Sequence, residues 1–160
     1  MADTIARQLK QKSPFSSQEE EIFLGLCVAA ARVAEPWVQF LKTTADLTSN
    51  QYNVLRILRG SHPARLTCSD VGERMITRDP DITRLIDRLE RRGLVERVRS
   101  SRDRRVVEVG ITARGLTLVR GLDVHAQRMP KALLGHLVAE QLQRLRSLLD
   151  AVIASMGTFP

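Results

Sequence analysis

The feature that most constrains the fold is an apolar stripe, Ile82, Leu85, Ile86 and Leu89, spaced i, i+3, i+4, i+7 and followed directly by a glycine and a valine-rich segment. This spacing puts all four side chains on one face of a helix. Asp79 offers a cap, Pro80 stands at a first-turn position where a missing amide costs nothing, and Gly93 supplies a left-handed C-terminal residue. A helix is therefore expected from Asp79 to Arg92, with Asp81, Thr83, Arg84, Asp87, Arg88 and Arg91 on its opposite face. Leu94–Arg99 and Arg105–Ile111 are valine-rich with partial alternation, and polar Ser100–Arg104 lies between them. That pattern predicts a β-hairpin with a charged tip.

The flanking sequence predicts further helices. Ser16 with Glu19 matches a capping box ahead of a long helix, whose apolar positions are Ile22, Cys27, Ala30, Val33 or Ala34, Trp37 and Leu41; Pro36 should kink or break it. Thr48 with Gln51 opens a short helix that carries Tyr52, Leu55 and Leu58 on one face and ends at Gly60. His62–Arg65 reads as a turn and Leu66 as a brief strand. Thr67 should cap a helix to about Met75, with Asp70 as its partner. After the hairpin, Thr112 caps a helix to about Gln127 and Pro130 interrupts. Leu142, Leu145, Leu148 or Leu149, Val152 and Met156 mark a last helix.

Charge narrows the range of partners. The 160 residues hold 25 Lys plus Arg against 18 Asp plus Glu, a net +7, and 21 of the cations are arginine. Such an excess has two sources, a polyanionic partner or GC-rich coding sequence, and the positions of the arginines decide between them. Five of them fall within Arg97–Arg105 beside a single Asp, giving a net +4 on a protruding hairpin, a self-repelling arrangement without a partner. Six aromatic residues are too few for a base-stacking surface.

Other functions lack support. Cys27 and Cys68 form no CxxC pair, so neither a zinc finger nor a disulfide framework is indicated, and a reducing cytoplasm fits. The apolar run Ile22–Ala34 is too short to span a bilayer, and no secretory signal is recognised. His62, His125 and His136 are scattered, so no metal is expected, and no cofactor is implied. GxSxG, GxGxxG and Walker patterns are absent, so no enzyme is expected.

The order helix, helix, helix, hairpin, long helices defines a mainly α fold: a winged helix-turn-helix with a two-stranded β-hairpin wing, plus N- and C-terminal dimerisation helices. Residues 47–112 would form the DNA-binding domain, and residues 16–46 and 113–157 the helical dimerisation region. The stripes Ile22–Leu41 and Leu142–Met156 exceed what a small winged helix needs and call for a second surface, either within the protomer or on another copy.

The segment Asp79–Val95, together with Asp103-Arg104-Arg105 followed by Ile111-Thr112, resembles the recognition helix and the Asp-x-Arg wing signature of the MarR family of bacterial transcription regulators. The resemblance implies a cytoplasmic homodimer, a repressor, on a pseudo-palindromic double-stranded operator with half-sites about 10 base pairs apart. It implies that Thr83 and Arg84 approach bases, with Arg88 on the same face. Arg105 would enter the minor groove braced by Asp103, and Arg99, Arg102 and Arg104 would meet phosphates. The helix start at Thr67 and Ser69 adds a phosphate site. A winged-helix module that docks protein instead of DNA is the alternative. Many relatives bind a small aromatic or phenolic ligand, for which Trp37, Tyr52 and Arg56 are the candidates. Cys27 is expected to be a buried, inert thiol, whereas Cys68, in a first helical turn, is open to redox regulation.

Overall fold

The computed structural model describes residues 4–77, 81–100 and 103–155. Its elements in order are α1 (Thr4–Leu9), α2 (Gln18–Ala45), α3 (Ser49–Ser61), β1 (Leu66–Thr67), α4 (Cys68–Glu73), α5 (Ile82–Arg91), β2 (Val95–Arg99), β3 (Val107–Ile111), α6 (Ala113–Leu134) and α7 (Ala139–Ser155). The chain divides into two compact units at Arg120/Gly121.

In the first unit the three strands form an antiparallel sheet in the order β1-β3-β2. Val95 pairs with Ile111 and Arg99 with Val107, and Leu66 pairs with Val109. Ser100 N donates to Val106 O at 2.9 Å and closes the hairpin. The core collects the stripes that the sequence shows. Leu85, Ile86 and Leu89 of α5 are buried with Val54, Leu55 and Leu58 of α3, Val71 of α4, and Leu94, Val95, Val109 and Ile111 of the wing. Ile82 begins the same stripe but is only half-buried.

Local chemistry sets most boundaries. Reciprocal capping boxes at Thr48/Gln51 and Thr67/Asp70 start α3 and α4 as expected. Gly93 has φ +67° and lets the chain turn out of α5. Thr112 Oγ1 donates to Gly93 O at 2.7 Å and accepts from Gly115 N at 3.1 Å, so one hydroxyl joins the exit of α5 to the start of α6. Gly115 permits this approach, since a Cβ there would lie 2.2 Å from Leu94 O.

Four expectations are corrected. The cap of α2 is Ser17 rather than Ser16: Ser17 Oγ accepts from Glu20 N, and Ser16 N and Oγ donate to the Glu20 carboxylate at 2.6 Å each. Helix α5 starts at Ile82, capped by Asp81, which accepts from Arg84 N at 3.2 Å; Asp79 and Pro80 lie outside the described residues. Neither Pro36 nor Pro130 ends its helix. Both prolines are exposed, so each forfeits one helical hydrogen bond near solvent while the rest of a long helix holds. Finally, Cys27 is exposed, not buried, because α2 carries more apolar circumference than its neighbours in the chain cover.

The second unit holds the later turns of α6 and helix α7. Leu122 is buried there, whereas α7 buries no residue and exposes Leu142, Leu145, Leu148, Leu149, Val152 and Ile153. Met156 lies outside the described residues. Among the described residues no helix is long and apolar enough to cross a membrane.

Candidate nucleic-acid interface

Helix α5 buries one face and leaves Thr83, Arg84, Arg88 and Arg91 exposed on the other. Asp81 performs two tasks at its start. One carboxylate oxygen caps the helix and the other accepts from Arg84 Nε at 3.0 Å, which orients the guanidinium and leaves its terminal nitrogens outward. A depression of about 210 Å³ lies between Asp81, Arg84, Leu85 and Arg88.

The wing is fixed to this helix by Arg97. Its guanidinium pairs with Asp87 Oδ1 and Glu90 Oε2, each at 2.6 Å, and donates to Thr83 O at 3.2 Å; its backbone N–H donates to Glu90 Oε1 at 3.1 Å. Desolvation disfavours the charged guanidinium, yet the hydrogen bonds and charges of Asp87 and Glu90 more than offset this, and its pKa lies above the ordinary arginine value. This residue revises the charge expected of the hairpin. Arg97 contributes no outward cation, because two carboxylates of α5 balance it, and Asp87 is accordingly engaged rather than presented. The signal was present in the sequence as two acids at i, i+3 on α5 facing an arginine in the first wing strand.

The outward cations of the wing are Arg99, Arg104 and Arg105, all exposed; Arg102 lies outside the described residues. Asp103 braces the tip in a different way from that expected. Its carboxylate accepts from the backbone N–H of Arg105 at 2.9 Å, and its carbonyl accepts from Val106 N at 2.9 Å, so it shapes the turn that carries Arg105 instead of gripping a guanidinium.

At the start of α4, Ser69 is exposed, whereas Thr67 is committed to its cap: Oγ1 accepts from Asp70 N at 3.1 Å and donates to the Asp70 carboxylate at 2.8 Å. The Thr67 side-chain and backbone donors hold Asp70 below its ordinary value of 3.8, with Arg74 adding to the effect. Trp37 and Tyr52 do meet, edge to face, with ring centroids 4.9 Å apart, and Trp37 also stacks on Phe40 at 5.5 Å. Tyr52 is buried, and exposed Arg56 donates to Asn53 Oδ1 at 3.4 Å. Cys68 is half-buried.

Sequence reasoning missed Arg92. It leaves the last turn of α5 and donates to two carbonyls at the end of α2, Asp46 O at 2.6 Å and Ala45 O at 2.8 Å. These are carbonyls that a helix terminus leaves without partners. The partners lie 46 and 47 residues away in sequence, beyond any local pattern.

A buried-stripe helix followed by an exposed arginine hairpin, whose two strands join β1 in a three-stranded antiparallel sheet, defines a winged-helix protein. The MarR family model matches residues 47–107, the span from the start of α3 to the wing. A MarR transcription factor from Planctomyces limnophilus is 38% identical, with 86% of this chain and 99% of that chain covered and a TM-score of 0.63. PcaV from Streptomyces coelicolor, a transcriptional regulator solved in complex with its natural ligand, is 31% identical over 79% of this chain and 90% of its own, with a TM-score of 0.66. The homoprotocatechuate degradative operon repressor of Escherichia coli is 28% identical over 68% of this chain and 72% of its own. The chain belongs to the MarR family, and these relatives are transcription regulators, not enzymes.

Proposed function

We propose that this protein is a homodimeric, sequence-specific DNA-binding repressor whose DNA-bound state responds to a small-molecule signal. The observation that carries the reading is the pairing of an exposed polar face on α5 with an arginine wing locked to the same helix through Arg97, which presents both as one rigid reader. Thr83, Arg84 and Arg88 enter a major groove and Arg105 the adjoining minor groove, where negative potential rises as the groove narrows. Arg99, Arg102, Arg104, Ser69 and the Thr67 helix start contact phosphates, and Asp103 sets the tip. Repression follows the named repressor among its relatives.

Exposed apolar side chains support the homodimer. On α2, Ile22, Phe23, Leu26, Val33 and Val38 lie open, as does the leucine face of α7. Surfaces of this kind on a single chain point to a second copy. For the signal, the relative solved with its natural ligand supports a small molecule, and Trp37, Tyr52 and Arg56 are the residues we assign to it, the Trp37–Tyr52 ring pair favouring an aromatic one. In a protein-docking module the outward arginines of the wing would have no phosphate to meet.

Selection of bound duplexes from a random library, followed by fluorescence anisotropy at two salt concentrations, tests the reading. Enrichment of one motif, bound more weakly as salt rises, is expected. Equal affinity for selected and scrambled duplexes would refute sequence-specific binding.

A further inference from the structure

The carboxylate of Asp81 has one oxygen more than the helix start needs. Oδ1 accepts from Arg84 N at 3.2 Å and caps α5, while Oδ2 accepts from Arg84 Nε at 3.0 Å. The second contact adds little to stability, because the Arg84 and Asp81 side chains are 79% and 45% exposed and water screens the pair. What it fixes is a direction: a guanidinium held at Nε keeps its two terminal nitrogens as a fork for another partner. Arg88, the next arginine along this face, makes no ion pair or hydrogen bond among the described residues, so of these two only Arg84 is held. The backbone beneath is pinned as well, since Thr83 O accepts from Arg97 Nη2 at 3.2 Å.

Duplex DNA offers a guanidinium two kinds of partner. Phosphates line both strands, and a long unheld side chain meets them whatever the sequence. Guanine presents two acceptors, O6 and N7, side by side in the major groove, whereas adenine sets an amino donor beside its N7. Asp81 biases Arg84 between the two. Its negative charge beside the guanidinium repels phosphate oxygens, and its hold on Nε removes rotamer freedom that an unheld arginine would lose only on binding.

We propose that Asp81 is a specificity-determining positioning residue: by holding Arg84 at Nε it directs the fork to O6 and N7 of one guanine and keeps Arg84 off the phosphates. Such reading of a base rests on the DNA-binding function proposed above, whereas the tether stands in the protein alone.

Selection from a random library with the natural chain, Arg84→Ala, Asp81→Asn and Asp81→Ser, followed by anisotropy across several salt concentrations, tests the assignment. Asn and Ser each keep an oxygen that can accept from Arg84 N, so the helix start survives and thermal unfolding should match the natural chain. The natural chain should enrich a G·C pair that Arg84→Ala does not, preferring it about tenfold or more over A·T. Both Asp81 variants should keep the rest of the motif but lower that preference to about threefold or less. They should also bind scrambled duplex more tightly, with a log–log salt slope steeper by about 0.9, as the released Arg84 meets a phosphate. Placing 7-deazaguanine, which lacks the N7 acceptor, at that position should weaken the natural chain and leave Arg84→Ala unchanged. A preference that survives in both Asp81 variants, an unchanged salt slope, or indifference of the natural chain to 7-deazaguanine would overturn the proposal while the repressor reading stands. Without DNA, Arg84 Nε–H should give a resolved nitrogen–proton resonance that both Asp81 variants lose, and its absence from the natural chain would overturn the tether. That resonance together with no enriched motif would instead refute the repressor reading, and the base assignment with it.

Discussion

Replacing Arg97 with alanine measures how firmly the wing is held to its helix. The guanidinium loses two ion pairs at 2.6 Å and a bond to Thr83 O at 3.2 Å. Hydrogen bonds to charged groups contribute about 1.5–3 kcal/mol when shielded, whereas exposed ion pairs contribute about 0–1 kcal/mol. The Arg97 side chain is 22% exposed but its partners are 41% and 38% exposed, so an intermediate value applies. The loss also leaves Asp87 and Glu90 as unpaired like charges one turn apart. Together these give about 2 kcal/mol, or roughly 4–8 °C in Tm for a chain of this size. Urea unfolding followed by circular dichroism would read the change, with Glu90→Gln and the double variant completing a cycle. A coupling energy of about 1 kcal/mol is expected, because the two residues touch. A loss under about 0.5 kcal/mol, or simple additivity, would refute the clamp.

Further outcomes follow from the same geometry. Arg105→Ala should cost about 1–3 kcal/mol in binding to the selected duplex, and unchanged anisotropy would contradict a groove contact. Arg99→Ala and Arg104→Ala should each reduce the slope of log affinity against log salt by about 0.9, read from titrations at several salt concentrations. Gly115→Ala should destabilise by about 2 kcal/mol or more in thermal unfolding, since the new Cβ meets the Leu94 carbonyl rather than a flexible side chain. Asp70 is held below its ordinary 3.8, so its contribution to stability is fully present above that pH and is lost as pH falls through its native value. Asp70→Asn should therefore flatten the stability profile below about pH 4, measured by unfolding across that range.

The parts of the fold legible in the sequence are those governed by neighbours within a few residues. The Thr48/Gln51 and Thr67/Asp70 boxes, Gly93, the Leu85–Leu89 stripe and the valine hairpin all appear where local spacing puts them. Neither the break at Pro130 nor the break alternative at Pro36 occurs, because the loss of one hydrogen bond at an exposed proline is outweighed by the rest of a long helix. At the start of α2, Ser16 and Ser17 both suit a cap, and composition alone could not choose between them. Asp103 was recognised as a brace, but its target is a backbone amide, a choice made by the turn. Arg92 was illegible for another reason: its partners stand on α2, and only tertiary packing brings that helix end to it.

The most direct test of the central claim is hydroxyl-radical footprinting of the protein on the duplex enriched by selection. Two symmetric protected patches, with centres about one helical turn of DNA apart and each flanked by a protected minor groove, are expected of a two-fold reader with wings. A single asymmetric patch, or uniform protection along the duplex, would contradict it.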